Sequence, residues 1–321
     1  MRPRSTGPDD PRRGDDVVGP GAGPPDPAGC PLPADEGLLD RRRRWSLAIV
    51  LLLGYAAYVG GRWLFEPDVA TATAHAGAIL DLQDRIGLDV EATVVDAIDI
   101  VPTAILDAMY LAVQLLIVPS GLWWIHRRSP RVFGPLRDTM VVTWFLAVVV
   151  YAAYPVAPPR MVAESGLAVD GGVPGGFLTW IYNEMAAVPS MHVAYATALG
   201  IGVACVLGRR PLALVALLWG PAVTVLVLGT ANHYLMDALL GLVAIAIGAV
   251  LAAVLRAGIR VVQRRAAAAV LRPQQDTPAG NPARAWRFRV AHETLLLTSV
   301  VVGPLRRPRA RRAASARGAR A

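Results

Sequence analysis

The stretch YLMDALLGLVAIAIGAVLAAVL at residues 234–255 decides the fold class of this chain. It contains one charged side chain, Asp237, and as a helix it is long enough to cross the roughly 30 Å hydrocarbon core of a bilayer. Five further apolar stretches lie upstream, at residues 45–65, 100–125, 139–156, 188–207 and 211–228. The sequence therefore predicts an all-α, polytopic membrane protein with six transmembrane helices.

Composition supports a membrane protein and excludes several kinds of site. Hydrophobic residues make up 54% of the chain and charged residues 17%, whereas an ordinary soluble domain carries about 25% charged residues. All 32 basic residues are arginine, which excludes a Schiff-base lysine and a P-loop lysine. The two cysteines, Cys30 and Cys205, lie in a polar tail and an apolar stretch, so a disulfide framework is also excluded.

Polar tails flank the apolar stretches and divide the chain into three regions. Residues 1–44 are rich in Pro, Gly, Asp and Arg and poor in apolar residues, a composition that predicts a disordered N-terminal tail. Residues 45–256 form the predicted membrane domain, and residues 257–321 form a basic C-terminal tail.

Arginine clusters predict the orientation in the membrane. They precede the first apolar stretch, separate the second from the third and the fourth from the fifth, and follow the sixth, so all fall on one side. The positive-inside rule makes that side cytoplasmic. The sequence thus predicts a multi-pass plasma-membrane protein with both termini in the cytoplasm. The clusters lie within residues 41–44, 127–137, 209–210 and 256–265.

Residues 74–96 fall in the predicted outer loop and have helical periodicity. Ile79, Leu82, Ile86 and Val90 recur at helical spacing, with acidic residues elsewhere on the wheel. Two interpretations remain open. The segment is either an amphipathic helix lying on the outer membrane interface, or an ordinary extracellular helix packed on the bundle.

Polar side chains gather at the outer ends of three predicted spans. Arg160 follows the third span, Ser190 and His192 open the fourth, and His233 and Asp237 lie where the sixth begins. The predicted topology brings all five to the external face at one membrane depth.

These residue types suit phosphate chemistry. His233 and Asp237 are four residues apart and share a helix face. The carboxylate would hold the proton on one imidazole nitrogen, which fixes the tautomer and makes the other nitrogen a better nucleophile. Ser190 occupies an N-cap position, where free N–H groups favour phosphate. Arg160 would donate two hydrogen bonds to the same phosphate, and His192 would protonate a leaving oxygen.

Each feature also has a plainer interpretation. A histidine at a membrane interface is commonly a polar residue without a catalytic role, and a His-x-x-x-Asp pair also occurs as a metal pair or a helix–helix hydrogen bond. Pro-Pro-Arg describes a loop with an interfacial anchor, and Pro-Ser-x-His describes a helix start. The combination, in this order and on one predicted face, favours catalysis.

The motifs resemble those of a known family. Pro189-Ser190-Met191-His192 and His233-Tyr234-Leu235-Met236-Asp237 resemble the second and third signatures of the type 2 phosphatidic acid phosphatase (PAP2) superfamily. The lysine-bearing first signature cannot occur in a chain without lysine. Residues 154–161, 183–196 and 230–241 together are similar to the inositol phosphorylceramide synthase-like branch. The resemblance covers about residues 45–255 and implies a six-helix PAP2-like bundle.

The resemblance implies a role for each residue. His233 would be the nucleophile that forms a phosphohistidine, Asp237 would orient it, and His192 would be the general acid. Ser190 and Arg160 would bind phosphate oxygens. No metal and no cofactor are implied.

Two positions depart from the family pattern. The superfamily has an arginine six residues before the nucleophile, where this chain has Val227, and Arg62 is the candidate for the missing phosphate clamp. The branch has a histidine where this chain has Gln114. Gln114 belongs to a polar stripe with Asp107 and Tyr110, which is either functional or a set of interhelical hydrogen bonds.

These patterns predict a membrane phosphotransferase that acts on a lipid phosphate or phosphodiester, including inositol-phosphate transfer to a lipid alcohol. The first alternative is a lipid phosphate phosphatase of the same superfamily, and the second is a transporter or a non-catalytic membrane protein. The expected partners are the lipid substrate and the bilayer, and no nucleic acid. The sequence leaves the lipid class and the oligomeric state open.

Overall fold

The architecture was obtained as a computed structural model, which describes residues 49–57, 68–167, 185–271 and 282–302, together with Trp45 and Gly60. Helices dominate this part of the chain, and no strand occurs in it. An isolated parallel bridge pairs Val156 with Ala186. An all-α fold is thereby confirmed for the described residues.

We label the helices α1 to α9 in chain order. They are α1 at residues 49–57, α2 Val69–Ile86, α3 Glu91–Ile98, α4 Thr103–Arg128, α5 Pro130–Ala153, α6 Met191–Leu207, α7 Pro211–Gly229, α8 Leu235–Leu271 and α9 Pro282–Val302. A π-helical turn, Val113–Ile117, interrupts α4. Two 3₁₀ turns, Pro159–Met161 and Ala163–Ser165, follow α5.

Among the described helices, four are long and apolar enough to cross a membrane: α4, α5, α7 and the Leu235–Ala269 part of α8. Helix α6 is also apolar, but it is shorter, with 17 residues. The first predicted span contains α1, and the residues next to α1 lie mostly outside the described part. The helices therefore support a membrane protein, while a total of six spans stays a prediction.

The third predicted span begins earlier than residue 139, because α5 starts at Pro130. Proline suits the first turn of a helix, where its missing N–H is not needed. Arg137, whose charge indicated a loop, is buried, and its Nε donates to Asp138 Oδ1 at 2.7 Å. Asp138 also pairs with Arg256 of α8. Ion pairing inside the bundle thus allows a charged segment to be helical.

Helix α6 is the central helix, in contact with α4, α5, α7 and α8. Its first three turns are almost entirely buried. A helix that is apolar on all sides is typical of a protein interior or a membrane span. The first turn of α6, which carries His192, therefore lies inside the bundle.

Two glycines allow α8 to approach its neighbours closely. A Cβ atom at Gly241 would collide with the Ser190 carbonyl oxygen, and one at Gly248 would collide with the Thr143 side chain. Small residues at helix crossings permit this close packing in membrane proteins. Gly241 thereby sets the distance between α8 and the start of α6.

Helix α2 packs against the chain segments that follow α5 and precede α6 and α8. Leu82 and Ile86, predicted to share an apolar face with Ile79, are about half exposed. The buried face includes a different set of residues: Ala72, Ala76, Ile79 and Gln83. A helix is present, but the single helix predicted over residues 74–96 is wrong. Gly87 adopts a φ of +69° and ends α2 at Ile86, and α3 begins only at Glu91. The contacts of α2 agree with a helix packed on the bundle.

The C-terminal part of the described chain is also helical. Helix α8 continues through Arg256 to Leu271, and α9 packs against it. The described part of the predicted basic tail at residues 257–321 is therefore largely helix.

Candidate active site

His233 lies in the turn between α7 and α8, with its ring almost completely buried. Its Nδ1 atom is 3.1 Å from the Ala187 carbonyl oxygen and 3.4 Å from Asp237 Oδ2. Both neighbours are hydrogen-bond acceptors, so Nδ1 carries the proton in the neutral ring. Nε2 then keeps its lone pair, and no described residue forms a hydrogen bond with it. This tautomer is the one that a nucleophilic histidine requires.

Asp237 lies in the first turn of α8 and is fully buried. Its Oδ2 atom accepts a hydrogen bond from the Tyr234 backbone N–H at 3.0 Å, in addition to the contact with His233. Its backbone carbonyl accepts from the Ser190 N–H at 3.0 Å. Asp237 therefore joins the start of α6 to the histidine before α8.

His192 faces His233 from the first turn of α6, with 5.9 Å between the ring centroids. Tyr110 of α4 stacks on His192 at a centroid distance of 4.1 Å and an interplanar angle of 22°. A ring stacked in this way has little rotational freedom. Tyr110 thus fixes the plane in which His192 presents its nitrogens.

Arg160 reaches the site from the turn Pro159–Met161 and is buried. Its Nε donates to Asn232 Oδ1 at 2.9 Å, and its backbone N–H donates to the Ala231 carbonyl at 3.0 Å. Ala231 has a φ of +47°, a region that residues other than glycine rarely adopt and that concentrates at functional sites. Arg160 is thereby anchored on the two residues that precede His233.

Ser190 is the N-cap of α6 and is fully buried. Its hydroxyl oxygen accepts from the Val193 N–H at 3.5 Å, the limit of a hydrogen bond. The Tyr151 hydroxyl donates to the carbonyl of the preceding Pro189 at 2.9 Å. The backbone on both sides of Ser190 is therefore held in place, while the cap bond itself is long.

The start of α8 is capped by side chains from α2 and α3. The Leu235 N–H donates to Glu91 Oε1 at 2.6 Å, and the Met236 N–H donates to Gln83 Oε1 at 2.8 Å. Gln83 and Glu91 are themselves joined by a 2.8 Å hydrogen bond and are almost completely buried. Together with the Tyr234 N–H, the first three N–H groups at this helix end thus all have side-chain acceptors.

The polar stripe of α4 borders the site. Tyr110 contacts His192, and the Asp107 carboxylate interacts electrostatically with the Arg160 guanidinium. Gln114, in the π-helical turn, has a buried Oε1 with no hydrogen-bond partner among the described residues. Tyr110 therefore contacts a predicted site residue, and Asp107 lies within electrostatic range of another, which favours the functional interpretation for these two residues.

The structure brings together five residues that the sequence predicted, and their catalytic roles stay predictions. Arg62 lies outside the described residues. Val227, at the position of the superfamily arginine, is fully buried in α7 and supplies no phosphate clamp. The five residues are Arg160, Ser190, His192, His233 and Asp237. In the part of the chain that the structure describes, no group of three His, Cys, Asp or Glu side chains is placed to hold a metal ion.

Sequence reasoning missed the residues that hold the site. Asn232 directly precedes His233. A polar side chain next to the predicted nucleophile could have indicated a residue that supports the site. Gln83 was also detectable, because it is the polar member of the otherwise small and apolar stripe on α2. Glu91 gave no comparable signal, since it was one acidic residue among several in an acidic loop.

Comparison with known proteins agrees with the motifs. The PAP2 superfamily matches residues 77–251, a range that exceeds half of the chain and contains all five site residues. No curated protein and no solved structure matches the chain. The chain belongs to the PAP2 superfamily.

Proposed function

We propose that this protein is an integral membrane phosphotransferase that uses His233 as a covalent nucleophile on a lipid phosphate or phosphodiester. The PAP2 superfamily comprises phosphatases and related phosphotransferases, which gives the reaction class. The observation that carries the proposal is the pair of acceptors at His233 Nδ1, because they leave Nε2 unprotonated. An oriented imidazole nitrogen backed by a buried carboxylate is a suitable nucleophile for phosphorus.

The proposed reaction has two balanced steps. In the first, His233 Nε2 bonds to phosphorus while the bond from phosphorus to the leaving alcohol breaks, and His192 donates a proton to the leaving oxygen. In the second, the acceptor hydroxyl gives its proton to His192, its oxygen bonds to phosphorus and the N–P bond breaks. Both histidines return to their starting protonation states, so the cycle consumes only donor and acceptor.

Two groups would bind the phosphate. Arg160 is anchored on Ala231 and Asn232, so its positive charge lies next to the nucleophile and would stabilise negative charge on the phosphoryl oxygens. Ser190 and the first turn of α6 offer a hydroxyl and a helix N-terminus, which favour an anion. The start of α8 is a poorer phosphate site, because two carboxylates already occupy it.

We propose a lipid alcohol as acceptor and inositol phosphate as the transferred group. The support is the similarity of residues 154–161, with Pro-Pro-Arg in place of a lysine signature, to the inositol phosphorylceramide synthase-like branch. Water as acceptor would make the same site a lipid phosphate phosphatase. A transporter is less well supported, since His192 and His233 lie at helix ends, whereas transporter sites lie near the membrane midplane.

The reaction class is tested by trapping the intermediate. Protein is mixed with radiolabelled phosphatidic acid or phosphatidylinositol, quenched rapidly and analysed for acid-labile label on protein. We expect label on the wild type and on the control His292→Ala, an exposed histidine of α9, and none on His233→Ala. Full turnover by folded His233→Ala would overturn the mechanism.

The same substrates decide the acceptor. Phosphatidylinositol is supplied with and without candidate lipid alcohols, ceramide among them. Appearance of a new phosphodiester lipid supports transfer. Release of only water-soluble phosphate or inositol phosphate, whatever alcohol is present, would identify a hydrolase and contradict the branch assignment.

We also propose a plasma-membrane location with the site on the external face and both termini in the cytoplasm. The support is the arginine distribution, in which Arg256 of α8 and the first half of α5 pair far along both helices from His233. In a background without Cys30 and Cys205, Glu164→Cys should react with an impermeant maleimide in intact cells, and Arg209→Cys should not. The reverse pattern would place the site in the cytoplasm.

A further inference from the structure

The contacts at the start of α8 point to a pair of positioning residues outside the PAP2 signatures. We propose that Gln83 and Glu91 set the alignment of Asp237 with His233 by clamping the first turn of α8. The proposal rests on the proposed function of His233. We call this pair the α8 clamp.

The α8 clamp contacts the same helical turn that positions Asp237 relative to His233. Asp237 lies in the first turn of α8, and the 3.4 Å contact with His233 depends on where that turn begins. The Leu235 and Met236 N–H groups donate to Glu91 and Gln83. A small rotation of this turn would change the distance from Asp237 Oδ2 to His233 Nδ1 directly.

The α8 clamp is also rigid. Gln83 Nε2 donates to Glu91 Oε1 at 2.8 Å, and Glu91 Oε2 accepts from the Val90 N–H at 3.1 Å. Both side chains are at most 2% exposed. The negative charge of Glu91 lies at a helix N-terminus, where the helix dipole stabilises an anion. A helix N-terminus can be capped equally well by exposed side chains. The burial of Gln83 and Glu91 therefore indicates that they also fix the position of the first turn of α8.

The test compares variants on the same two helices. Gln83→Ala and Glu91→Ala should lower kcat between about tenfold and 100-fold, because small misplacements of catalytic groups have effects of that size. KM should change less than about twofold, since neither residue lies at the phosphate-binding groups. Glu91→Gln keeps an oxygen acceptor for the Leu235 N–H and should retain most of kcat. The matched controls are Asp84→Ala and Asp96→Asn, both exposed.

Three results would overturn the α8 clamp: an unchanged kcat in Glu91→Ala, an equal loss in the controls, or a loss confined to KM. Hydrogen exchange of the backbone amides at residues 234–237 separates this failure from failure of the proposed function. Faster exchange in Glu91→Ala reports loss of the α8 clamp whether or not a His233 phosphoenzyme exists. Unchanged exchange would overturn the α8 clamp even in an active enzyme.

A second feature lies at the other end of α8. A cleft of about 510 Å³ separates α8 from α5, with Pro135 and Thr139 on one wall and Arg256, Arg260 and Arg264 on the other. Arg260 follows Asp237 by 23 residues along the helix, or about 35 Å at 1.5 Å per residue. The cleft therefore belongs to the opposite membrane surface from the histidine site.

The charge in this cleft is unbalanced. Asp138 pairs with both Arg137 and Arg256, so its negative charge is already shared. Arg260 and Arg264 form no hydrogen bond or ion pair with any residue in the described segments. They are one helical turn apart on the same face, a spacing that suits two guanidinium groups on one phosphate.

The rest of the cleft is lined mainly by small apolar side chains, including Ala249, Ala252, Ala253 and Ala257. Positive charge at one end and an apolar wall below it match an amphiphile with an anionic head. We infer that the cleft binds an anionic phospholipid, with its phosphate between Arg260 and Arg264 and an acyl chain along the alanines. Basic pockets between membrane helices bind such headgroups.

The test uses delipidated protein in nanodiscs with phosphatidylglycerol or phosphatidylcholine, and native mass spectrometry counts the retained lipids. Arg260→Gln with Arg264→Gln should weaken phosphatidylglycerol binding about 30-fold, since each surface arginine contributes about 1 kcal/mol toward anionic lipid. The control removes the same charge at Arg209 and Arg210, which are exposed, and should retain the lipid. Equal loss in the control, or displacement by inorganic phosphate, would overturn the lipid site.

Discussion

Two helix starts meet at the histidines, and they are capped in opposite ways. Helix α6 begins at a neutral cap, the Ser190 hydroxyl, whose bond to the Val193 N–H is 3.5 Å long. Helix α8 begins at two carboxylates and an amide, from Asp237, Glu91 and Gln83, with contacts of 2.6 to 3.0 Å. Both starts lie in the same buried region, joined through the Ser190 N–H and the Asp237 carbonyl.

The difference suits the separate tasks that we propose for the two helix ends. The N–H groups at the start of α8 are already satisfied by negatively charged or polar oxygens, so this end repels an incoming anion and holds His233 firmly. The start of α6 carries no acidic cap, so its positive dipole end favours a phosphate. A nucleophile on one helix end and an anion site on the other would bring the reacting atoms together.

The largest expected effect comes from removing the charge at the start of α8. Asp237→Asn should lower kcat about 10⁴-fold, the size found when the orienting aspartate of a catalytic triad is replaced by asparagine. The asparagine NH₂ would face His233 Nδ1 and favour the tautomer with the proton on Nε2. Steady-state kinetics on the lipid substrate measure the loss.

A residual rate distinguishes this variant from His233→Ala, which lacks the nucleophile. The Oδ2 position of Asp237 also accepts from the Tyr234 N–H, so that hydrogen bond would be lost as well. The Leu235 and Met236 N–H groups would keep their acceptors on Glu91 and Gln83, so the helix start should remain folded. A rate near that of the wild type would mean that the Ala187 carbonyl alone fixes the histidine tautomer, and the two helix starts would then not differ in function.

The next effect concerns Arg160, the cation anchored on the two residues that precede His233. Arg160→Lys should lower kcat/KM about 100-fold, within the range for loss of one preorganised charge-stabilising group. A lysine ammonium has no planar fork, so it would not hold Asn232 and a phosphate oxygen together. The expected loss lies mostly in kcat, and kinetics on both donor lipids measure it.

Asn232→Ala separates anchoring from charge. It keeps the guanidinium but removes the acceptor of the Arg160 Nε bond, so it should show a smaller loss than Arg160→Lys. An equal loss in both variants would indicate that Asn232 itself contacts the substrate.

The contrast between the two helix starts also explains what the sequence could reveal. Ser190, His192, His233 and Asp237 were detectable because local spacing fixes their relation: an N-cap lies before its helix, and residues four apart share a face. The start of α5 was placed too late, because Arg137 looked like a loop residue until its burial beside Asp138 was known.

Residues that depend on distant contacts were not predictable. Glu91 and Leu235 are 144 residues apart in sequence, and no periodicity in the acidic segment before α4 marks Glu91 as buried. The positive φ of Ala231 could not be predicted either, since an alanine in a turn gives no sign of an αL conformation. Tertiary packing, rather than local propensity, decides both.

A smaller effect comes from Ser190. Ser190→Ala should lower kcat/KM about fivefold, which corresponds to about 1 kcal/mol for a lost N-cap or one hydrogen bond to phosphate. Ser190→Asp gives α6 the kind of acidic cap that α8 has. Because Ser190 is fully buried, the new carboxylate should lower thermal stability, and in protein that remains folded it should raise KM more than alanine does. If Ser190→Asp binds substrate as well as the wild type, phosphate does not bind at the start of α6.

The smallest effect concerns a third helix start, that of α2, whose N-cap residue Asp68 is exposed to solvent. Asp68 accepts from the Thr71 hydroxyl at 2.7 Å and from the Thr71 and Ala70 N–H groups at 3.1 and 3.3 Å. These hydrogen bonds, with that of the Thr71 hydroxyl the strongest, hold the pKa of Asp68 below its usual range. A carboxyl whose pKa is lower in the folded state stabilises the fold above its unfolded pKa, and that stabilisation is lost as the pH falls through the folded pKa.

Hydrogen exchange at the first turn of α2 should therefore speed up in acid in the wild type. Asp68→Asn keeps a good N-cap but removes the titrating group, so its exchange should change much less between neutral and acidic pH. Activity at neutral pH should change less than about twofold, because an exposed charge is screened by solvent. If exchange at the first turn of α2 speeds up equally in acid in both proteins, a group other than Asp68 controls the acid sensitivity of this turn. The comparison between an exposed and a buried acidic cap would then fail.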